Sequence, residues 1–363
     1  MAESPVLSAL VHSPSRQSLP PSSFAERLVA WQKSAGRHDL PWQASRDPYR
    51  IWLSEIMLQQ TQVATVIPYY RRFIARFPDI RALAAAPVET VMEHWAGLGY
   101  YARARNLHRC AQEIVARHHG RFPASAALLA ELPGIGRSTA AAVAAFAFGE
   151  RAAILDGNVK RVLCRHFAID GFPGAAATQR QLWELAESLL PRQDIETYTQ
   201  GLMDLGAGIC TRSRPACPHC PLTADCQARH QGQQAQLPTA RPRARLPERA
   251  ATFVLLRDGE RLLLERRPPS GLWGGLLAPP EGDVDAVLAR LGLHARQRQP
   301  LPPLRHGFTH FRLILEPVLC DVAPPPHLAE PGCEWVGLAQ AASAGVPAPI
   351  GKLLRQLAAS SQA

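Results

Sequence analysis

The chain has 363 residues, which at ~100–200 residues per domain fits two or three domains rather than one. Its composition, 47% apolar and 19% charged, excludes a wholly disordered chain. The longest uncharged apolar run, Thr139 to Gly149, has 11 residues, well short of the ~20 that a membrane-crossing helix needs. Lys and Arg total 40 against 30 Asp and Glu, a net charge of +10, which favours a polyanionic partner and most simply nucleic acid.

Residues 1–22 carry one Arg (Arg16), four Pro and no apolar core with a cleavage site. They read as a disordered extension and not as an export signal. A cytoplasmic chain is therefore expected, with its eight Cys reduced. From Phe24 to about His230 the pattern is mostly helical. Asp47-Pro48 offers an N-cap and a first-turn Pro, opening a helix that runs through Gln60 to about Val66. Further helices are predicted over Val88–Gly97, Ala102–His118, Ala124–Leu132, Arg137–Phe148, Asn158–Phe167, Thr178–Leu190 and Ile195–Gly206. Residues 231–248 are polar, Pro- and Arg-containing and without apolar period, as in an exposed linker. Beyond them TFVLL and RLLLE flank Asp258-Gly259, a hairpin pair. HFRLILEPVLCDV and CEWVGL read as strands, and DAVLARL and GKLLRQLAA as short helices. The second half is thus an α+β domain over 249–358 with its own core.

Three features carry chemistry. Cys210, Cys217, Cys220 and Cys226 are spaced C-x6-C-x2-C-x5-C, which suits a tetrahedral metal or an iron–sulfur cluster; the spacing alone does not name the metal. Cys110, Cys164, Cys320 and Cys333 are scattered and are expected to be small buried hydrophobes. In LPGIG, Gly134 and Gly136 allow a sharp turn, and the helix from Arg137 aims free N–H groups into it, a place for a DNA phosphate. Finally, two carboxylates stand out. Glu55 has Ile51 and Leu58 on its helix face, so its pKa should rise, as a general acid requires. Asp156 follows AAIL and precedes a helix. As an N-cap it should be rigid and ionised, with a lowered pKa, a fixed anion for a cationic sugar. One raised and one lowered carboxyl is the pattern of glycoside cleavage.

Together these segments, with LPWQ (Leu40–Gln43), WLSEIMLQQTQVATVIPYY (Trp52–Tyr70), GLGYYARARNLH (Gly97–His108), LPGIGRSTA (Leu132–Ala140), ILDGNVKRVL (Ile154–Leu163) and MDLGA (Met203–Ala207), closely resemble the MutY adenine DNA glycosylases of the helix-hairpin-helix superfamily. The resemblance is specific over roughly residues 24–230 and looser over the second half. It implies a monomeric enzyme that excises adenine paired with 8-oxoguanine or guanine in double-stranded DNA. The four Cys would hold a structural [4Fe–4S] cluster, with Arg212 and Arg214 in its loop as phosphate contacts. Glu55 would protonate adenine N7 and later activate water; Asp156 would stabilise the oxocarbenium ion. Gln60 would wedge into the duplex near the flipped adenine, Thr61 and Leu98 would contact the oxidised guanine, Tyr100 would insert beside that guanine in the stack, and Trp42 would line the adenine pocket. Ser138 stands where endonuclease III-type enzymes carry a Schiff-base Lys, which implies a monofunctional glycosylase with little lyase activity; Lys160, one turn beyond Asp156, is the amine most able to react adventitiously. Gln43 and Gln200 stand where some members have Arg and Glu, both beside the adenine.

The second half resembles a Nudix domain. Gly275 and Glu281 keep the opening Gly-x5-Glu spacing, but Ala289, Arg290, Leu293 and His294 fall where the Mg²⁺-binding run would be, so nucleotide hydrolysis is not expected. Phe308-Thr309-His310 stands where the family has a Phe-Ser-His triplet, and implies that Thr309 and His310 read 8-oxoguanine.

Overall fold

The computed structural model describes residues 23–241, 246–268, 271–308, 310–323, 330–342 and 344–360; Thr309 and the segment 1–22 lie outside them. The first half is helical: α1 (Phe24–Ala35), α2 (Pro48–Leu58), α3 (Val63–Arg76), α4 (Ile80–Ala85), α5 (Val88–Trp95), α6 (Ala102–His118), α7 (Ala126–Leu129), α8 (Arg137–Phe148), α9 (Gly157–His166), α10 (Ala176–Ser188), α11 (Ile195–Asp204) and α12 (Gln227–His230). A π-helical turn, Leu205–Ile209, follows α11 directly. The starts obey local chemistry. Ser23 and Glu26 form a reciprocal capping box on α1. Asp47 accepts the Tyr49 N–H at 2.9 Å, with Pro48 in the first turn of α2.

The second half is a seven-stranded sheet of β1 (Glu248–Asp258), β2 (Arg261–Arg266), β3 (Leu277–Ala278), β4 (Ala295–Pro300), β5 (Leu304–Gly307), β6 (Arg312–Val322) and β7 (Cys333–Gly337), with α13 (Val284–Leu291), α14 (Leu338–Ala341) and α15 (Ala348–Ser360). The main path runs β3-β2-β1-β6-β4, with β5 on β6 and β7 on β2. β1 and β2 pair at Arg257↔Leu262 and Asp258↔Arg261, the predicted hairpin. β1 and β6 run parallel from Glu248↔Arg312 to Arg257↔Asp321, and Arg257 and Asp321 close the end of that ladder as an ion pair at 2.6 Å.

Strand alternation divides the core. Val254 and Leu256 of β1 pack with Val287, Leu288 and Leu291 of α13 on one face. Phe253 and Leu255 face the other way, toward Leu353 and Leu354 of α15 and on into the helical half, in one continuous apolar cluster that reaches Trp52, Phe73 and Trp95. Each fully buried side chain of that size stabilises by roughly 1.5–3 kcal/mol. A separate cluster joins α1, α8, α9, α10 and α11, with Leu222 of the cysteine loop. Where the halves meet, Arg105 of α6 donates to Gly274 O at 2.7 Å. No helix among the described residues is long and apolar enough to cross a membrane.

Candidate active site

α2 stops at Leu58 and does not run on to Val66 as its sequence suggests. Residues 59–62 turn, with Gln60 at a φ of +57°, and α3 begins afresh at Val63. The break opens the wall of a cleft of about 1300 Å³. Glu55, on the face between Ile51 and Leu58, lines it, as do Trp42, Gln60, Thr61, Ser138 and Asp156. Burial, and secondly the charge of Asp156, push the Glu55 carboxyl up to about 8. It is the protonated form that this site holds near neutrality.

Asp156 caps α9, its Oδ1 accepting the Val159 N–H at 2.8 Å. The cap is as expected, but the lowered pKa is not. Burial raises the carboxyl above its ordinary value and outweighs the amides of Val159 and Asn158 and the charges of Arg161 and Lys160. The cap that fixes the group also takes it out of water. Ser138, at the start of α8, accepts the Leu155 N–H at 2.9 Å. Its hydroxyl thus ties α8 to the residue before Asp156 and holds the carboxylate from behind. Ser138→Ala leaves that amide without its partner; the expected cost is ~1 kcal/mol of stability, read by thermal unfolding, with a several-fold loss of base release.

At the polar end of the cleft, Gln43 lines the wall. Its Oε1 accepts the Leu40 N–H and its Nε2 donates to Arg37 O, both at 3.0 Å, so the amide closes its own turn. Gln200 donates to Asp204 Oδ1 at 2.7 Å. Asp204 is buried and paired to Arg37 at 2.7 Å. Because a carboxylate only accepts, the Gln200 NH2 must face it, which fixes the orientation of this cleft-lining amide.

Leu98 is buried in the core, 5% exposed, and what its turn presents outward is backbone and the ring of Tyr100, 48% exposed. The hairpin takes its predicted shape. Gly134 has a φ of +78°, and a Cβ there would come within 2.7 Å of Asn106 Cβ; Gly136 caps α8. Two arginines of α9, absent from the sequence reading, run from Asp156 to the cysteine loop. Arg161 donates to Asn158 Oδ1 at 2.8 Å, Gly206 O at 2.6 Å and Cys210 O at 2.7 Å. Arg165, 3% exposed, donates to Cys210 Sγ at 3.4 Å and to the carbonyls of Thr211, Arg212 and Leu237. Their i, i+4 spacing on a helix whose Val162 and Leu163 are buried was the available signal. Cys220 feels the other three thiols, and Arg212 and Arg214 are exposed on the loop. Among the described residues no three His, Cys, Asp or Glu side chains converge as ligands of a single ion.

Residues 53–188 match the model of the HhH-GPD superfamily of base excision DNA repair proteins, and residues 251–356 that of the NUDIX domain. The adenine DNA glycosylase of Buchnera aphidicola subsp. Baizongia pistaciae (strain Bp) is 34% identical over 340 residues, covering 92% of this chain and 96% of its own. The chain belongs to the adenine DNA glycosylase family. The human adenine DNA glycosylase is 33% identical over 92% of this chain and 74% of its own. A thermostable thymine-DNA glycosylase superposes with a TM-score of 0.53 at 31% identity, over 57% of this chain and 95% of that one.

In this adenine DNA glycosylase family member, Phe308 and His310 lie in the Nudix-like half. His310 is exposed beside Phe311, ring centroids 4.9 Å apart, and Phe308 stacks on Phe311 at 4.6 Å. Thr309 lies outside the described residues. α13, where a Nudix hydrolase would present metal-binding carboxylates, instead presents Arg290, ion-paired to Glu265 at 2.6 Å and to Glu330. Glu281 is likewise taken, by Arg267 at 2.7 Å. Cys110, Cys164 and Cys320 are buried as expected, whereas Cys333 is only half-buried on β7.

Proposed function

We propose that this protein is a monofunctional glycosylase that removes adenine from A:8-oxoguanine and A:G pairs in duplex DNA, the first step of base excision repair. The observation that carries the reading is one cleft with two carboxyls of unlike duty, Glu55 held protonated up to about 8 and Asp156 pinned by the amide of Val159. Adenine leaves the stack and enters the cleft. Glu55 gives its proton to N7; the C1′–N9 bond breaks and its electron pair stays with the purine. The sugar becomes an oxocarbenium ion, which the Asp156 carboxylate stabilises at short range. Water adds to C1′ and gives its proton to the Glu55 carboxylate, restoring the acid. The products are free adenine and an abasic site.

A duplex bearing one A:8-oxoguanine pair, treated with alkali after incubation, should break only at that adenine. An intact strand would remove the proposal. With Ser138 in place of a nucleophilic Lys, borohydride should trap little protein on the product. Strong trapping coupled to strand scission would instead assign a lyase, with Lys160 as its amine. Thr309 and His310 are read as the discriminating contacts to the oxidised base. Their joint change to Ala should narrow the preference for 8-oxoguanine over guanine severalfold, with release from A:G less affected.

The donor set fits a [4Fe–4S] cluster. Cys210, Cys217, Cys220 and Cys226 would hold it, and it would supply a rigid anchor for the loop of Arg212 and Arg214. One zinc with ~2.3 Å bonds draws its sulfurs close together, whereas a cube binds each thiolate through its own iron. Arg165, a buried cation whose acceptors here are three carbonyls and a thiol sulfur, suits an anionic cluster beside it. Iron and acid-labile sulfide should each be found at about four per chain after anaerobic purification; zinc alone would overturn the assignment.

A further inference from the structure

Two exposed residues, Gln60 on the wall of the cleft and Tyr100 on a separate turn, hold strained backbone. Gln60 has a φ of +57° and Tyr100 a φ of +50°, a region that costs a residue with a side chain of order 1–3 kcal/mol. Both are exposed, and Tyr100 leaves a large ring in water. Folding alone gives no reason for either. They belong to turns far apart in the chain, one after α2 and one before α6, yet a single side chain grips both.

That side chain is Arg103, in the first turn of α6. Its Nη1 donates to Ile56 O and Met57 O at 2.8 Å and to Gln59 O at 2.7 Å, the open carbonyls at the end of α2. Its Nη2 donates to Thr61 Oγ1 at 3.1 Å, Leu98 O at 3.4 Å and Gly99 O at 3.2 Å. The guanidinium also lies 5.3 Å from the Trp95 ring and 5.4 Å from that of Tyr100. Only a planar fork reaches acceptors on two sides at once; the three donors of a Lys ammonium radiate from one point.

We propose that Arg103 is a positioning residue that joins the two turns into one rigid wedge, with Gln60 and Tyr100 as its prongs, entering the stack at the base pair whose adenine is flipped. This rests on the glycosylase reading above. Unstacking a step costs a few kcal/mol, which the inserted side chains must return. Slack between the prongs is lost from that return.

The test is a double-mutant cycle on the full chain with Tyr100→Ala and Arg103→Gln, and Arg103→Lys as the conservative variant. The measurements are single-turnover adenine release, the fluorescence of 2-aminopurine placed next to the target, and DNA affinity at fixed salt. Each single change should lower release and unstacking by roughly tenfold while affinity falls less than about threefold, and the double should be little worse than Arg103→Gln alone. Arg103→Lys should fail to rescue. Multiplying losses, or full rescue by Lys, would overturn the proposal. If the wild type releases no adenine, the glycosylase reading fails, and the fluorescence cycle alone judges the wedge. If the Arg103 variants do not fold, hydrogen exchange of the wild type decides. The Thr61 N–H bonds Leu58 O and the Leu98 N–H bonds Trp95 O; one rigid unit requires one shared opening free energy and denaturant slope, and separate values refute it.

Discussion

Replacing Glu55 by Gln is expected to slow single-turnover adenine release by about 10³-fold or more while leaving duplex affinity nearly unchanged, since proton transfer of this kind supplies roughly 10²–10⁴ and the amide can serve neither as acid nor as base. Gln matches Glu in shape, so the wall between Ile51 and Leu58 keeps its packing. The pH dependence follows from the same burial. The working form of the free enzyme is protonated, so base release should hold through neutrality and fall as pH rises through about 8. Stability should move with it. The folded chain keeps a proton on Glu55 that the unfolded chain loses near the ordinary value of 4.5. Stability is therefore greatest below that value and declines as pH rises through about 8. Glu55→Gln escapes this decline, and above pH 8 it should melt higher than the wild type, with the gap closing toward pH 5. A variant that melts lower at alkaline pH, or that keeps the wild-type rate, would contradict the assignment.

Asp156→Asn is the second large effect. Asn caps a helix about as well as Asp, so α9 should form and thermal unfolding should shift little. What disappears is the amide-held charge of Asp156 that the proposed mechanism sets against the oxocarbenium ion, and the expected loss in single-turnover rate is on the order of 10²–10³. Because burial raises this carboxyl above its ordinary value, wild-type release should also fail on the acid side sooner than an exposed Asp would dictate. That acid limb should vanish from the residual activity of Asp156→Asn. Its persistence would place the titrating group elsewhere.

Much of this was legible in the chain. α6 and α8 begin and end at the predicted residues, because their limits are written locally, by apolar spacing and, for α8, by Gly136 and Gly149. Glu55 could be singled out because its neighbours at helical spacing are apolar. The overrun of α2 had the opposite origin. Nothing local stops the helix at Leu58; its last carbonyls are taken by Arg103, which arrives from another helix. The acceptor role of Ser138 depends on Leu155, equally beyond local reach. β4 (ARQRQP) has no apolar alternation, since nearly all of it is exposed, and only its ladder to β6 makes it a strand. For Asp156 the cap could be read and its depth could not, which is why the direction of its pKa came out reversed.

The single apolar cluster that runs from Trp52 and Trp95 to Phe253 and Leu354 makes the two halves unlike beads on a string. A chain clipped between them would hold together as a two-piece particle, its parts glued by shared oil rather than by the backbone, and either piece made alone would carry a sticky, half-finished face into the test tube.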